Sequence, residues 1–262
     1  EAARGGRRIP HVAVAHSSDV WLLRRSMAGR AMVRLLARRA DLVYAGAHLV
    51  VEGAPGRVVP MGIDAEACRG DRARGRARFL LHRTNSATDP DRPVALFLGR
   101  LVPVKGLDLL LDALPDELDL LVAGDGPLRE SLERRAAGLA ARVRFLGEVR
   151  GDDKRDLLAA CDLLVVPSLR LPDGREEGTP TVIFEARAAG LPIVATRTGG
   201  IAAALTDGED ALLCEPTVPS LRAALRRIAL DAELRDRLRA AVDPDRHDWR
   251  RVGPVLAEGL LG

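Results

Sequence analysis

Apolar runs and polar intervals alternate along this chain with a regular step. From residue 94 onward, six short runs nearly continuous in Val, Leu, Ile and Ala stand at Val94–Gly99, Asp119–Gly124, Val143–Gly147, Leu163–Ser168, Pro192–Thr196 and Ala211–Glu215. Such runs lack the alternation of a half-exposed strand and read as parallel strands covered on both faces. Stretches with helical spacing lie between them: Gly106–Leu114, Pro127–Leu139, Lys154–Cys161, Pro180–Ala189 and Ser220–Leu230. Strands alternating with helices in this way predict a doubly wound α/β domain.

Residues 1–91 repeat the style with fewer elements. His11–Ala15, Asp41–Ala45 and Arg57–Pro60 read as strands, and an Arg-rich helix is expected from about Leu22 to Ala40. Three strands are fewer than the five or six of a complete doubly wound sheet, so this domain is expected to be incomplete. Arg83–Arg92 is polar and holds a proline, the composition of a linker. The expected division is therefore 1–88 for a partial first domain and 89–242 for a second. Residues 243–262, beyond the Pro244 break, are expected to form a helix returning to the first domain.

Composition narrows the class. The chain has 262 residues, 47% hydrophobic and 29% charged, enough apolar surface for one large or two modest cores. No uncharged run exceeds ten residues, against the ~18 a spanning helix needs. Cys68, Cys161 and Cys214 fit neither a disulfide framework nor a zinc pattern, so a reducing, cytoplasmic setting is expected. The net charge of +3 divides into +7 over residues 1–91 and −4 over the rest. All basic residues but Lys105 and Lys154 are Arg, a bias that points to base composition rather than to a partner. With 3% aromatic residues there are few stacking platforms, and nucleic-acid binding is not expected.

The chemistry is expected on loops beyond the carboxyl ends of the strands. The chain lacks a P-loop, a complete dinucleotide fingerprint, a nucleophile elbow and a histidine cluster, and no metal site is expected. After the first run of the second domain come Arg100 and Lys105, five residues apart on a loop with a glycine at either end. They could converge on a diphosphate, Arg as a planar fork and Lys as a point charge; a solvated loop is the plain alternative. Further on, Thr179 is expected as the N-cap and Pro180 at the first position of a helix. The free N–H groups of Thr181 and Val182 would then form an anion site. Glu177 lies just outside that terminus. Glu185 lies ~9 Å along the axis from the helix start, on the face of Thr181, where its carboxylate could accept bonds from two neighbouring ribose hydroxyls. For Glu185 taken alone, an exposed helix glutamate is the plain alternative.

The two glutamates with seven residues between them, inside EGTPTVIFEARAAGLPIVATRTGG, resemble the signature of family 4 retaining glycosyltransferases, which have the GT-B fold of two Rossmann-like domains. GRLVPVKG (99–106), VAGDGP (122–127) and VRFLGEV (143–149) fit in the same order. ADLVYAG and VVPMGID are similar to the end of that family's first domain, and AHSSDVW (15–21) resembles its acceptor-side loop. The likeness is most specific over 92–242. Against it, Ala202-Ala203-Ala204 stand where the family has Pro-Glu, and the family's first domain is about twice as long and opens with a Gly-rich loop. The resemblance thus implies a chain lacking the start of that domain.

The resemblance implies a function and roles. The chain would move a sugar from a UDP- or GDP-linked donor to an acceptor hydroxyl, in exopolysaccharide or glycolipid synthesis, without a cofactor or metal. Arg100 and Lys105 would hold the diphosphate, and Val149 would meet the base through its main chain. Gly178, Thr179, Pro180, Thr181 and Val182 would cradle sugar and phosphate, while Glu185 would bind the ribose. Glu177 and His16 would stand at the reacting centre; a satisfied histidine at a strand end is an equal alternative for His16. A nucleotide-sugar epimerase and an inactive donor-binding fragment remain open alternatives. The basic stripe Arg30, Arg34 and Arg38, with Arg24, Arg25 and Arg39 nearby, could draw the protein to an anionic membrane surface and a lipid-linked acceptor. Met32, Leu35 and Leu36 are expected to dock mostly on the sheet.

Overall fold

The computed structural model describes residues 11–15, 20, 23, 26–80, 92–139 and 142–261. Its elements run β1 (Val12–Ala15), α1 (Met27–Ala37), β2 (Asp41–Tyr44), β3 (Arg57–Val58), α2 (Arg72–Phe79), β4 (Val94–Leu98), α3 (Leu107–Ala113), β5 (Asp119–Ala123), α4 (Arg129–Arg135) and β6 (Val143–Gly147). Then follow α5 (Gly151–Ala160), β7 (Leu163–Val166), α6 (Thr181–Ala188), β8 (Ile193–Thr196), α7 (Ile201–Ala204), β9 (Leu212–Cys214), α8 (Val218–Leu230), α9 (Ala232–Ala240) and α10 (Trp249–Leu261).

The strands form two wholly parallel sheets, β1-β2-β3 and β6-β5-β4-β7-β8-β9. This is the expected α/β architecture, and the larger sheet has the doubly wound order, reversing between β4 and β7. The period of two divides each central strand between two cores. Val94 and Leu96 of β4 face one apolar layer, and Ala95 and Phe97 face the other. All four are buried, as are all five residues of β5, which is why these strands read as unbroken apolar runs.

The smaller sheet packs around Tyr44, whose hydroxyl donates to Ala54 O at 2.8 Å and accepts from Val51 N–H at 3.3 Å. Val252 and Leu256 of α10 pack with Val43 and Val59 against this sheet, and Arg57 donates to Val255 O at 2.7 Å. The chain reaches α10 beside its own earlier passage. Ile63 N–H donates to His247 O at 2.8 Å, Trp249 N–H donates to Ile63 O at 2.9 Å, and Asp248 accepts from Ala65 N–H at 3.0 Å.

Packing changes hands earlier than composition suggests. Ala65, Cys68, Phe79 and Leu80 already belong to the core of the larger sheet, and α2 lies on α5, where Arg74 pairs with the buried Asp156. The changeover therefore falls near Ile63 rather than at 88/89, because the polar linker follows a helix that has already crossed; residues 83–91 of that linker lie outside the described residues.

A second correction concerns α1. It runs only over Met27–Ala37, capped by the Ser26 hydroxyl, which accepts from Gly29 N–H at 2.9 Å. Gly29 and Val33 are buried, but Met27, Met32, Leu35 and Leu36 are exposed. The apolar residues expected against the sheet thus stand outward, because the inward stripe is carried by Val33.

Candidate functional site

At the carboxyl ends of β4, β5 and β6, where the strand order reverses, the larger sheet opens into a cavity of about 590 Å³. Its walls come from three strand ends and one helix start. Leu98, Gly99 and Arg100 follow β4, and Ala123 to Gly126 follow β5. Glu148 and Val149 follow β6, and the first turn of α6 closes the fourth side with Pro180, Thr181 and Val182. Lys105, Lys154 and Glu185 complete the lining. This is the crevice in which open α/β sheets bind ligands.

The start of α6 differs by one residue from the sequence expectation. Pro180 (φ −63°, ψ 131°) is the cap itself, without a side-chain cap, and the helix begins at Thr181. Thr179 does not cap because its hydroxyl donates to Gly200 O at 3.2 Å. The shift keeps Thr181 and Val182 in the first turn of the helix. The bond from Ile183 N–H to Pro180 O, 3.1 Å, comes after Thr181 and Val182, so their N–H groups stand ahead of it at the positive end of the helix.

Both lysines of the chain stand here, each holding one of the two spaced glutamates. Lys105 Nζ donates to Glu177 Oε2 at 2.6 Å, and Lys154 Nζ lies 2.8 Å from Glu185 Oε2. The carboxylate side chains are only 15% and 16% exposed, so solvent screens these pairs less than a surface bridge. Lys105 ends the single turn Pro103–Lys105, and Gly106 behind it adopts φ +64° against Pro167 O. A side chain there would be strained and would collide with that carbonyl. Arg100 is exposed on the same loop.

Of the expected residues, Arg100, Lys105, Val149, Pro180, Thr181, Val182 and Glu185 line one cavity. Glu177 joins its edge through Lys105. Gly178 and Thr179 are not lining residues; their turn is tied instead to Gly200, whose N–H donates to Glu177 O at 3.1 Å. His16 lies outside the described residues. Lys154 was not expected here, although its rarity in an Arg-rich chain is the signal that singled out Lys105. Burial pushes the Cys68 thiol up to about 11, helped by the Glu185 charge, which disfavours its thiolate. Among the described residues no group of three or more His, Cys, Asp or Glu is gathered as metal ligands.

Three cations, the first N–H groups of α6 and Glu185 in one crevice, with Glu177 at its edge, suit a ligand with a diphosphate and hydroxyls. Comparison with known proteins bears on this. The family model described as glycosyl transferases group 1 matches residues 80–243. An uncharacterized glycosyltransferase of Methanocaldococcus jannaschii is 28% identical, over 88% of this chain and 61% of its own. A GDP-mannose-dependent α-(1-6)-phosphatidylinositol monomannoside mannosyltransferase of Mycolicibacterium smegmatis is 31% identical, over 98% of this chain and 71% of its own. Among solved structures, Anabaena HepE in complex with UDP is similar with a TM-score of 0.79 and 25% identity, over 96% of this chain and 72% of that one. The chain spans about half to two thirds of the length of the first curated relatives it matches.

Proposed function

Since the chain belongs to the glycosyl transferases group 1 family, we propose that it is a retaining, family 4 type glycosyltransferase. It moves a sugar from a nucleoside-diphosphate donor to an acceptor hydroxyl. The observation that carries this reading is the convergence of Arg100, Lys105, the α6 N-terminus and Glu185 on one crevice at the strand-order switch. The bound UDP of HepE and the GDP-mannose of the mycobacterial relative support a nucleotide sugar as donor.

The diphosphate lies against Arg100, Lys105 and the N–H groups of Thr181 and Val182. As the bond from the sugar to phosphate breaks, negative charge grows on the leaving group, and these fixed donors stabilise it without rearranging. The protein's own groups supply that charge, so the reading needs no metal or cofactor. Glu185 accepts from the ribose hydroxyls and is held for this by Lys154. Val149 meets the base, and Gly178 to Pro180 carry the sugar cradle. Glu177 holds hydroxyls of the transferred sugar, and His16 serves the reacting centre from the acceptor side.

The acceptor in this reading is a glycan or lipid-linked molecule of exopolysaccharide or glycolipid synthesis, reached at an anionic membrane surface. The outward Met32, Leu35 and Leu36 beside Arg34 of α1 and Arg38 at its C-cap support that approach, and the buried, unpaired Cys68, Cys161 and Cys214 suit a reducing, cytoplasmic compartment. Among the described residues no helix is long and apolar enough to cross a membrane. In the test, UDP and GDP sugars are titrated by calorimetry, and turned-over products are analysed by NMR. A sugar linked to acceptor with its anomeric configuration kept is the expected result. Sugar left on its nucleotide in altered form would replace the reading with an epimerase, and binding without turnover would leave a donor-binding module.

A further inference from the structure

The turn carrying Glu177 has a support from the other sheet that the donor reading does not use. His48, four residues past the end of β2, sets its half-buried ring between two glycines. A Cβ built on Gly46 would stand 2.7 Å from the ring's Cε1 and 2.8 Å from its Nδ1. A Cβ built on Gly200 would meet the same two ring atoms, and the Gly178 backbone, inside any permitted contact. The ring therefore occupies the space that side chains at 46 and 200 would take. One of these glycines belongs to the smaller sheet's loops and the other to the larger's.

What the ring touches is the rung that shapes the turn. Gly200 N–H donates to Glu177 O, and Gly200 O accepts from Thr179 Oγ1. Glycines at 178, 199 and 200 give this stretch wide backbone freedom, and a fixed contact from outside restricts it. We propose that His48 is a positioning residue of the site, bracing from the first sheet the Glu177–Thr179 turn that holds the transferred sugar. The proposal rests on the donor reading for its ligand. It assigns His48 to sugar placement and leaves the phosphate grip to Arg100, Lys105 and the α6 terminus. Small errors of placement at a reacting centre are costly in rate, so the expected defect is in turnover, with nucleotide affinity spared.

The test uses this chain with His48→Ala, Gly46→Ala and both together. Hydrogen exchange reads the brace whether or not the donor reading stands. Each single variant is expected to speed exchange at the Gly178, Thr179 and Gly200 amides tenfold or more, with β4 unchanged. The pair is expected to exceed neither, because the new methyl fits where the ring is gone. Unchanged exchange, or single effects that multiply in the pair, would overturn the proposal. Calorimetry with UDP and GDP on the unsubstituted chain tests the donor reading separately. Where it holds, His48→Ala is expected to slow release of nucleoside diphosphate from the nucleotide sugar about tenfold, with the diphosphate dissociation constant within twofold. An affinity loss as large as the rate loss would also overturn it. Should His48→Ala not fold, Gly46→Ala, which adds one methyl, carries the same expectations alone.

Discussion

Lys154 Nζ lies 2.8 Å from Glu185 Oε2, and the carboxylate is held on α6 by a cation from the first turns of α5. Lys105 and Glu177 repeat the arrangement at 2.6 Å, with Glu177 on the turn that leads into α6. Each spaced glutamate thus has its own lysine, Glu177 ahead of the α6 N-terminus in the chain and Glu185 within the helix. A carboxylate fixed by one cation retains acceptor capacity on its other lone pairs, and so can receive a hydroxyl in a set position.

The cations should govern nucleotide affinity. Arg100→Ala and Lys105→Ala are each expected to weaken nucleotide-sugar binding by roughly 1.5–3 kcal/mol, the range for hydrogen bonds to charged groups. Calorimetry reads this directly. Wild-type affinity in both variants would remove the diphosphate from this loop.

The glutamates should separate binding from turnover. Glu185→Gln is expected to weaken the free nucleoside diphosphate, because the ribose loses a charged acceptor and Lys154 loses its partner. Glu177→Gln is expected to leave that affinity nearly intact and to lower turnover, since its ligand is the sugar. Titration of each variant with nucleoside diphosphate, beside its rate with the nucleotide sugar, distinguishes the roles. Equal nucleotide affinity in both variants would take Glu185 away from the ribose.

Much of this was legible because buried parallel strands advertise themselves. Val94–Leu98 and Asp119–Ala123 are apolar at nearly every position, since both faces are covered, and their ends give the site loops directly. What stayed hidden depended on tertiary neighbours. Thr179 has the chemistry of an N-cap, but Gly200 O takes its hydroxyl. Lys154 and Glu185 are 31 residues apart and on different helices, so only the fold brings them together. The early crossing at Ile63 rests on hydrogen bonds to His247 and Trp249 from the far end of the chain. His48 carries no signal of its role, because the contact that gives it one is made with Gly200, 152 residues further along the chain.

Gly75 should tolerate no side chain. It lies where α2 meets α5, and a Cβ there would collide with Asp156 O and stand 3.1 Å from Ala160 Cβ. The obstacle is helix backbone, which cannot swing aside. Gly75→Ala is expected to cost about 1–3 kcal/mol, the usual price of overpacking, despite the gain in helix propensity. Denaturant unfolding checks it; a midpoint equal to or above wild type would contradict the close packing of α2.

Acid should loosen the crossing at residues 247–248. His247 stacks on Phe184 with ring centroids 4.1 Å apart, and burial, with Arg187 and Arg246 nearby, depresses its pKa to about 4. The unfolded chain binds this proton near pH 6.5, so between 6.5 and 4 it carries more protons than the folded one. Stability therefore rises with pH across this window and is lost as pH falls through it. Asp248 acts in the same direction at lower pH, because the bonds from Arg250 and Ala65 hold its carboxyl well below the usual range. The melting temperature is expected to fall steadily from pH 6.5 to 4, with a shallower slope in His247→Gln. An unchanged slope in that variant would assign the acid sensitivity elsewhere.

The exposed side of α1 should seek an anionic bilayer. Met27 is 82% exposed, Met32 and Leu35 are each 48% exposed, and Arg34 and Arg38 stand exposed beside them, while Arg30 is half-buried. Like charges four apart cost an isolated helix ~0.2–0.5 kcal/mol per pair, so local stability does not account for the stripe. Basic residues near an anionic surface gain about 1 kcal/mol each, and the outward methionines and leucines add apolar area that can enter the interface. Arg24 and Arg25, from the same stretch of sequence, lie outside the described residues. In vesicle co-sedimentation the protein is expected to pellet with anionic and not with neutral liposomes. Raising the salt should release it, since exposed charges are screened within about 8–10 Å at physiological strength. Arg30→Gln, Arg34→Gln and Arg38→Gln together should abolish the anionic preference, and Met32→Ser with Leu35→Ser should weaken binding while leaving that preference in place. Equal recovery in the supernatant with both lipids would reduce α1 to a solvated helix and detach the membrane from the functional reading.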